Sequence, residues 1–262
     1  MNQWSRNRKR IILAIVIIFV VGLIGLPAYL IFYKAPTCFD GKLNGDETGV
    51  DCGGSCQLLC SAESVPLLIK GDPRVLTLAP NTFQVVALVE NSNNTADIYI
   101  AGYTIKVYAP GTAVPVKVIE GETYVPKGKT FTIFEGPFAL EVGINPTRAT
   151  LEWDESSLVW QKNDYDYPEL VIKDKVLSRT DLSPRLEATV ENVSFQNAAN
   201  IDFTALITDV EGNIFAASKT FVGSLSAGED TVIVFTWPRP FTSTPVGTDI
   251  VVRIFPDRSF IR

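Results

Sequence analysis

The sequence predicts an all-β protein in which two tandem β-sandwiches follow an N-terminal transmembrane helix and a short disulfide-rich segment. Three observations carry this. Short runs rich in Val, Ile, Thr, Phe and Tyr, cut by Gly, Pro and Asn, fill the chain from residue 65 onward. Nothing between Ile11 and Tyr33 is charged. All four cysteines, Cys38, Cys52, Cys56 and Cys60, lie close together just after that run.

Residues 1–10 read as a cytoplasmic tail and 11–33 as a membrane span. The run from Ile11 to Tyr33 reaches roughly 34 Å at about 1.5 Å per residue, against a hydrocarbon core of about 30 Å. It is longer than the apolar region of a cleaved signal peptide, so an uncleaved signal anchor is expected. Arg6, Arg8, Lys9 and Arg10 precede it directly, which under the positive-inside rule keeps the N-terminus cytoplasmic and exports everything beyond Lys34. The protein is then single-pass, with extracytoplasmic C-terminal domains. Segment 1–34 holds five of the 23 Lys+Arg and none of the 29 Asp+Glu, so the exported part has 18 basic against 29 acidic residues, a net of −11. A nucleic-acid partner is not expected, because phosphate neutralisation needs a basic surface.

Residues 35–62 form a cysteine-rich stalk too short to bury a core, so covalent closure must hold it. An oxidising exported compartment favours two disulfides over a four-cysteine zinc site, with three pairings open. Asp40, Asn44, Asp46, Glu47 and Asp51 offer the hard oxygen ligands that calcium takes, among glycines that permit tight turns. Two readings stand: a calcium-bound loop, or Asp and Asn side chains capping turns in water. No other cofactor is expected. The run Cys38-x-Asp40-Gly41-x-x-Asn44-Gly45-x-Glu47-x-x-x-Asp51-Cys52-Gly53-Gly54-x-Cys56 resembles a motif that recurs in exported, surface-anchored bacterial proteins, often beside a membrane segment or Ig-like domains. The resemblance implies a cell-envelope location and no activity. The ending Cys56-x-x-x-Cys60 departs from its commoner C-x-x-C.

The first sandwich is placed at 65–154, a linker at 155–167, the second sandwich at 168–257 and a tail at 258–262. Alternation is visible in Phe83/Val85/Ala87/Val89, Tyr103/Ile105/Val107, Phe203/Ala205/Ile207 and Val232/Val234, with polar or outward-facing residues expected between them. An internal repeat underlies the pair. At an offset of 101, Val75-Leu76 aligns with Val176-Leu177, Val89-Glu90-Asn91 with Val190-Glu191-Asn192, and Gly111 with Gly212. With small gaps, Ile69-Lys70 matches Ile172-Lys173 and Pro137-Phe138 matches Pro240-Phe241. Each half carries its own apolar strands and is expected to fold alone. These shared features resemble bacterial Ig-like domains of the FxLYD and CARDB type and the WHy fold, which implies adhesion, spacing or assembly roles without catalytic residues.

The connector, with Trp160 and Asn163-Asp164-Tyr165-Asp166-Tyr167, reads as aromatics packed on the sandwiches with solvated acids, and Phe235 to Phe241 as an edge strand ended by prolines. The chain has no His, which excludes imidazole bases, His triads and His-ligated zinc. Adjacent acids such as Asp154-Glu155 cannot face each other across a substrate as glycosidase carboxylates do, and no GxSxG motif occurs. No enzyme is expected. The function expected is an anchored envelope protein presenting two Ig-like modules to an unidentified envelope protein or glycan. The alternatives are a structural spacer or a calcium- or ligand-sensing accessory subunit. Asn93-Asn94-Thr95 and Asn192-Val193-Ser194 match glycosylation sequons.

Overall fold

The computed structural model describes residues 3–32 and 37–256. Tyr33, at the end of the expected span, and residues 257–262, including the expected C-terminal tail, lie outside the described residues. The chain forms two compact units, 1–56 and 57–262.

In the first unit α1 (Gln3–Val20) runs through a π turn at Val21–Gly25 into α2 (Leu26–Phe32). Pro27 explains the wide turn, since its ring crowds the carbonyl four residues back and it has no N–H to donate. The stretch Asn7–Tyr29 is long and apolar enough to cross a membrane, and its side chains are exposed. A helix apolar on all sides must be covered by lipid or by protein.

The second unit starts with β1 (Leu68–Ile69), β2 (Arg74–Ala79), β3 (Thr82–Glu90), β4 (Ala96–Tyr108), β5 (Lys117–Val125), β6 (Thr130–Ala139), β7 (Arg148–Trp153) and β8 (Gln161–Lys162). It continues with β9 (Leu170–Ser178), β10 (Arg185–Asn192), β11 (Ala198–Thr208), β12 (Ile214–Leu225), β13 (Asp230–Thr236) and β14 (Gly247–Ile254). All pairings are antiparallel.

In the first sandwich β3 lies between β6 and the pair β1 and β2, facing a sheet ordered β5-β4-β7. In the second, β9-β10-β13 faces β12-β11-β14. The two orders coincide once β1 and β2 are taken together as the counterpart of β9. The interruption has a local cause. Gly71 and Asp174, which follow the matched lysines, both have positive φ, at 73° and 50°. In β9 this produces a bulge and the strand continues. In the first copy Asp72-Pro73 follow instead, and proline cannot donate to the ladder.

The matched residues meet one another. Lys70 pairs with Glu90 at 3.0 Å and Lys173 pairs with Glu191, both across the first two strands of their sandwich. Asn91 and Asn192 are both buried. Asn91 Nδ2 donates to the carbonyls of Ala96 and Pro126, and Asn192 Nδ2 to those of Gln196 and Leu225. Each thereby ties the loop after its strand to the open end of the opposite sheet's hairpin, near where β4 or β11 begins and β5 or β12 ends. The offset is not constant, however. Inward-facing Tyr103, Ile105 and Val107 correspond to Phe203, Ala205 and Ile207, an offset of 100, because β4 carries a bulge between Ile98 and Ala101.

Val85, Ala87, Val89, Ile98, Ile105 and Phe131 centre the first core, and Leu186, Val190, Phe203, Ile207 and Phe235 the second. A third core lies between the sandwiches, where Leu76 and Val86 meet Leu206 and Ala217, flanked by Leu88, Phe134, Ile214 and Val251. The residues between the alternating sets on β3 and β11 therefore face a second protein layer rather than solvent. Gln84 donates to Ala217 O at 2.8 Å and the Thr132 and Thr204 hydroxyls meet at 2.8 Å across this interface. The four sheets stack in the order β5-β4-β7, then β1/β2-β3-β6, then β12-β11-β14, then β9-β10-β13. Residues 155–167 are part of this body: Trp160 is buried in the first core and β8 pairs with β4. Trp237 is also buried, and its indole donates to Ala217 O at 3.1 Å where edge strand β13 ends.

Candidate functional site

The stalk residues are organised by their own backbone. Cys38 and Cys56 are joined; Cys52 and Cys60 are also oxidised, and among the described residues no cysteine is free. Asp51 accepts from the N–H groups of Asp40 and Gly41 at 3.0–3.1 Å. Asp40 accepts from Lys42 N at 3.0 Å and Asn44 Nδ2 at 2.9 Å. Glu47 accepts from the N–H groups of Asn44 and Asp51, and Asp46 from Ser55 N and Oγ. The Asn44 bond holds the Asp40 carboxyl below its ordinary 3.8.

Gly41, Gly45, Gly53 and Gly54 all have positive φ, and a Cβ on Gly54 would lie 2.0 Å from Asp46 O. Asp40, Asp46, Glu47 and Asp51 thus each accept hydrogen bonds from within the loop. Asn44 Oδ1 is buried without a hydrogen-bond partner among the described residues. Cys38, Glu47 and Cys56 bring ligand-type atoms within 4.8 Å of one another, but the two sulfurs are bonded to each other and offer no thiolate.

Neither sequon is open. Asn93 is 7% exposed and bonds both the N–H and the carbonyl of Val65, and Asn192 is fully buried.

A cleft of about 690 Å³ opens at the junction of the sandwiches. Tyr99, Tyr103, Glu122, Tyr124 and Glu135 contribute from the first, and Asp202, Lys219, Arg253 and Phe255 from the second. Arg253 anchors it. Its guanidinium lies 3.8 Å from Asp202, donates to Thr123 Oγ1 at 2.8 Å and stacks 4.5 Å from the Phe255 ring centroid. Burial pulls the Arg253 pKa down while Asp202 and Tyr103 oppose the shift; an arginine stays charged in either case. Arg253 Nε is buried without a hydrogen-bond partner among the described residues. Lys219 reaches Asp202 from the exposed side at 3.3 Å. Tyr103 donates to Glu135, and burial, reinforced by that carboxylate, pushes its hydroxyl well above the usual tyrosine range.

Beside the cleft, Asp97 sits fully buried at the start of β4. It accepts from Tyr124 at 2.8 Å, from Tyr167 at 2.9 Å, from Asn163 Nδ2 and from Lys127 N. Burial raises the Tyr124 and Tyr167 hydroxyls far above their ordinary values, keeping both as neutral donors. A second hollow of about 420 Å³ adjoins this cluster, walled by Tyr99, Tyr165, Tyr167, Ile254 and Phe255.

Of the cleft residues only Tyr103 stands out in the sequence, and that as an inward-facing strand position; Tyr165 and Tyr167 of the connector line the adjoining hollow. A signal existed: Asp97 and Asp202 are isolated acids inside the apolar runs of β4 and β11, and a charge in such a run needs partners.

No protein-family model and no curated protein matches the chain. Among solved structures it is similar to red sea bream transglutaminase, at 11% sequence identity and a TM-score of 0.23, with 75% of this chain and 32% of that chain covered. That likeness is too slight to carry an argument about activity.

Proposed function

We propose that this is a single-pass, membrane-anchored protein of the cell envelope that holds two duplicated Ig-like sandwiches outside the cytoplasm and binds a protein or glycan partner in the cleft between them. The observation that carries the reading is that cleft. Its two walls come from different sandwiches held together by a shared buried core, and it combines aromatic faces with paired charges, the composition of a recognition surface.

The basic residues before the helix support a cytoplasmic N-terminus, and fully oxidised cysteines suit an exported segment. We read the 37–60 loop as a closed stalk rather than an ion site, because four of its carboxylates already accept backbone N–H bonds. Binding without catalysis accords with the absence of His and with tyrosines held neutral.

The test is a pull-down after crosslinking in native membranes. Replacing Tyr99 and Phe255 together with Ala is expected to remove the partner while leaving the thermal unfolding midpoint within a few degrees of wild type. Full retention of the partner by a folded double variant would instead support a spacer.

A further inference from the structure

The hollow of about 420 Å³ beside the cleft has the size of a small-molecule site. Tyr165 and Tyr167 stand two residues apart on the connector, and their rings meet edge-to-face, with 5.4 Å between centroids and 87° between planes. They form two perpendicular walls. Tyr99 of β4 and Phe255, just past β14, add two further rings, with Pro168 and Pro256 beside them. Among the described residues, none that lines the hollow carries a charged side chain.

A full negative charge stands behind one wall. Tyr167 lines the hollow and donates its hydroxyl to Asp97 at 2.9 Å. Asp97 has no exposure, and its four donors, Tyr124, Tyr167, Asn163 Nδ2 and Lys127 N, are all neutral. They satisfy its lone pairs without cancelling its charge. Among the described residues no Lys or Arg pairs with it, and the Lys127 ammonium turns to the main-chain carbonyl of Asn163 instead. Arg253, the cation 4.5 Å from the Phe255 ring centroid, is offset by Asp202. Aromatic faces backed by an unpaired carboxylate attract a cation. The lining also says which kind. Its amide oxygens are engaged, Asn163 Oδ1 by Tyr165 N and Asn197 Oδ1 by Ala227 N. A primary ammonium has three N–H groups to satisfy and would lose hydration here, whereas a nitrogen bearing methyl groups has none.

We propose that this hollow binds a quaternary ammonium group of the choline type, with its methyl groups against the four rings. The proposal stands independently of what the cleft binds, since Tyr165 and Tyr167 line the hollow and not the cleft.

The test is calorimetric titration of the full-length protein, in a maltoside detergent, with choline and with dimethylbutanol, its uncharged carbon isostere. Choline is expected to bind saturably and about tenfold more tightly than the isostere. Tyr165→Phe keeps the ring and is expected to match wild type. Tyr165→Leu keeps apolar bulk without a π face and is expected to weaken choline about tenfold while leaving the isostere unchanged. Asp97→Asn is expected to weaken choline alone; should that variant fail to fold, the Tyr165 pair, at a half-exposed position, decides the matter. Absence of saturable choline binding would overturn the proposal. So would equal binding of choline and isostere, or choline binding unchanged in Tyr165→Leu or in folded Asp97→Asn. Glycerophosphocholine separates the two sources of the group: binding as tight as that of choline assigns a lipid headgroup, and binding of choline alone assigns a free solute.

Discussion

Asn91 and Asn192 show what a recurring tripeptide is for. A fully buried amide that bonds two carbonyls and caps the following turn cannot be replaced by an apolar residue without orphaning those partners. Asn192→Ala is expected to cost about 3 kcal/mol in denaturant unfolding, since net hydrogen bonds run at about 1 kcal/mol each and orphaned groups cost more. For the same reason neither sequon asparagine should carry a glycan when the protein is expressed in a glycosylating host. The buried tyrosines set a pH limit. Tyr103, Tyr124 and Tyr167 all hold their protons above the ordinary value of 10. Their contribution to stability is complete below that pH and is lost as pH rises beyond it, because the unfolded chain then releases protons that the folded chain keeps. The urea midpoint should therefore fall between pH 10 and pH 11.5 and stay nearly flat between pH 8 and pH 9.5.

Among the elements, the stalk loop was the most legible, because glycines with positive φ and acids that cap N–H groups are local devices written in consecutive residues. Gly54→Ala, with a Cβ 2.0 Å from Asp46 O, should leave the loop unable to close and raise the reactivity of its cysteines to mild reductant. The strands were legible too, from the two-residue period of Val85/Ala87/Val89 and Phe203/Ala205/Ile207, but on β13 the parity is reversed: Ile233 and Phe235 enter the core and Val232 and Val234 face outward. The strands' other faces were not legible. Gln84 and Thr204 read as outward-facing because they fall between the alternating apolar positions, yet Gln84 bonds Ala217 O and Thr204 bonds Thr132 within a buried interface. A polar residue satisfied by a distant strand leaves the same trace in sequence as one satisfied by water. The bulge at Ile98–Ala101 was hidden for a similar reason: a one-residue slip appears only when inward-facing side chains are compared.

For the whole molecule, the shared core predicts that each half is less stable alone than in the pair. Cutting between them would expose Leu76, Val86, Leu206 and Ala217 together with their flanking residues, and fully burying one such aliphatic side chain contributes roughly 1.5–3 kcal/mol. A fragment of residues 57–168 is therefore expected to unfold at lower denaturant than the intact 57–256 region and to self-associate, and Val86→Asp should destabilise the pair by about 3 kcal/mol or more. Independent folding at the intact midpoint would show that the interface contributes little. The cleft was illegible in sequence because its walls come from strands as far apart as β4 and β14, and only the stacking of the sandwiches brings Tyr99 near Phe255. Its use is tested most directly by placing a photo-reactive side chain at Tyr99 inside the cleft and another at Val232, which is 60% exposed on the outer sheet, and illuminating intact cells. One defined adduct from position 99 and none from position 232 is the expected result; adducts from both positions alike, or from neither, would contradict binding in the cleft.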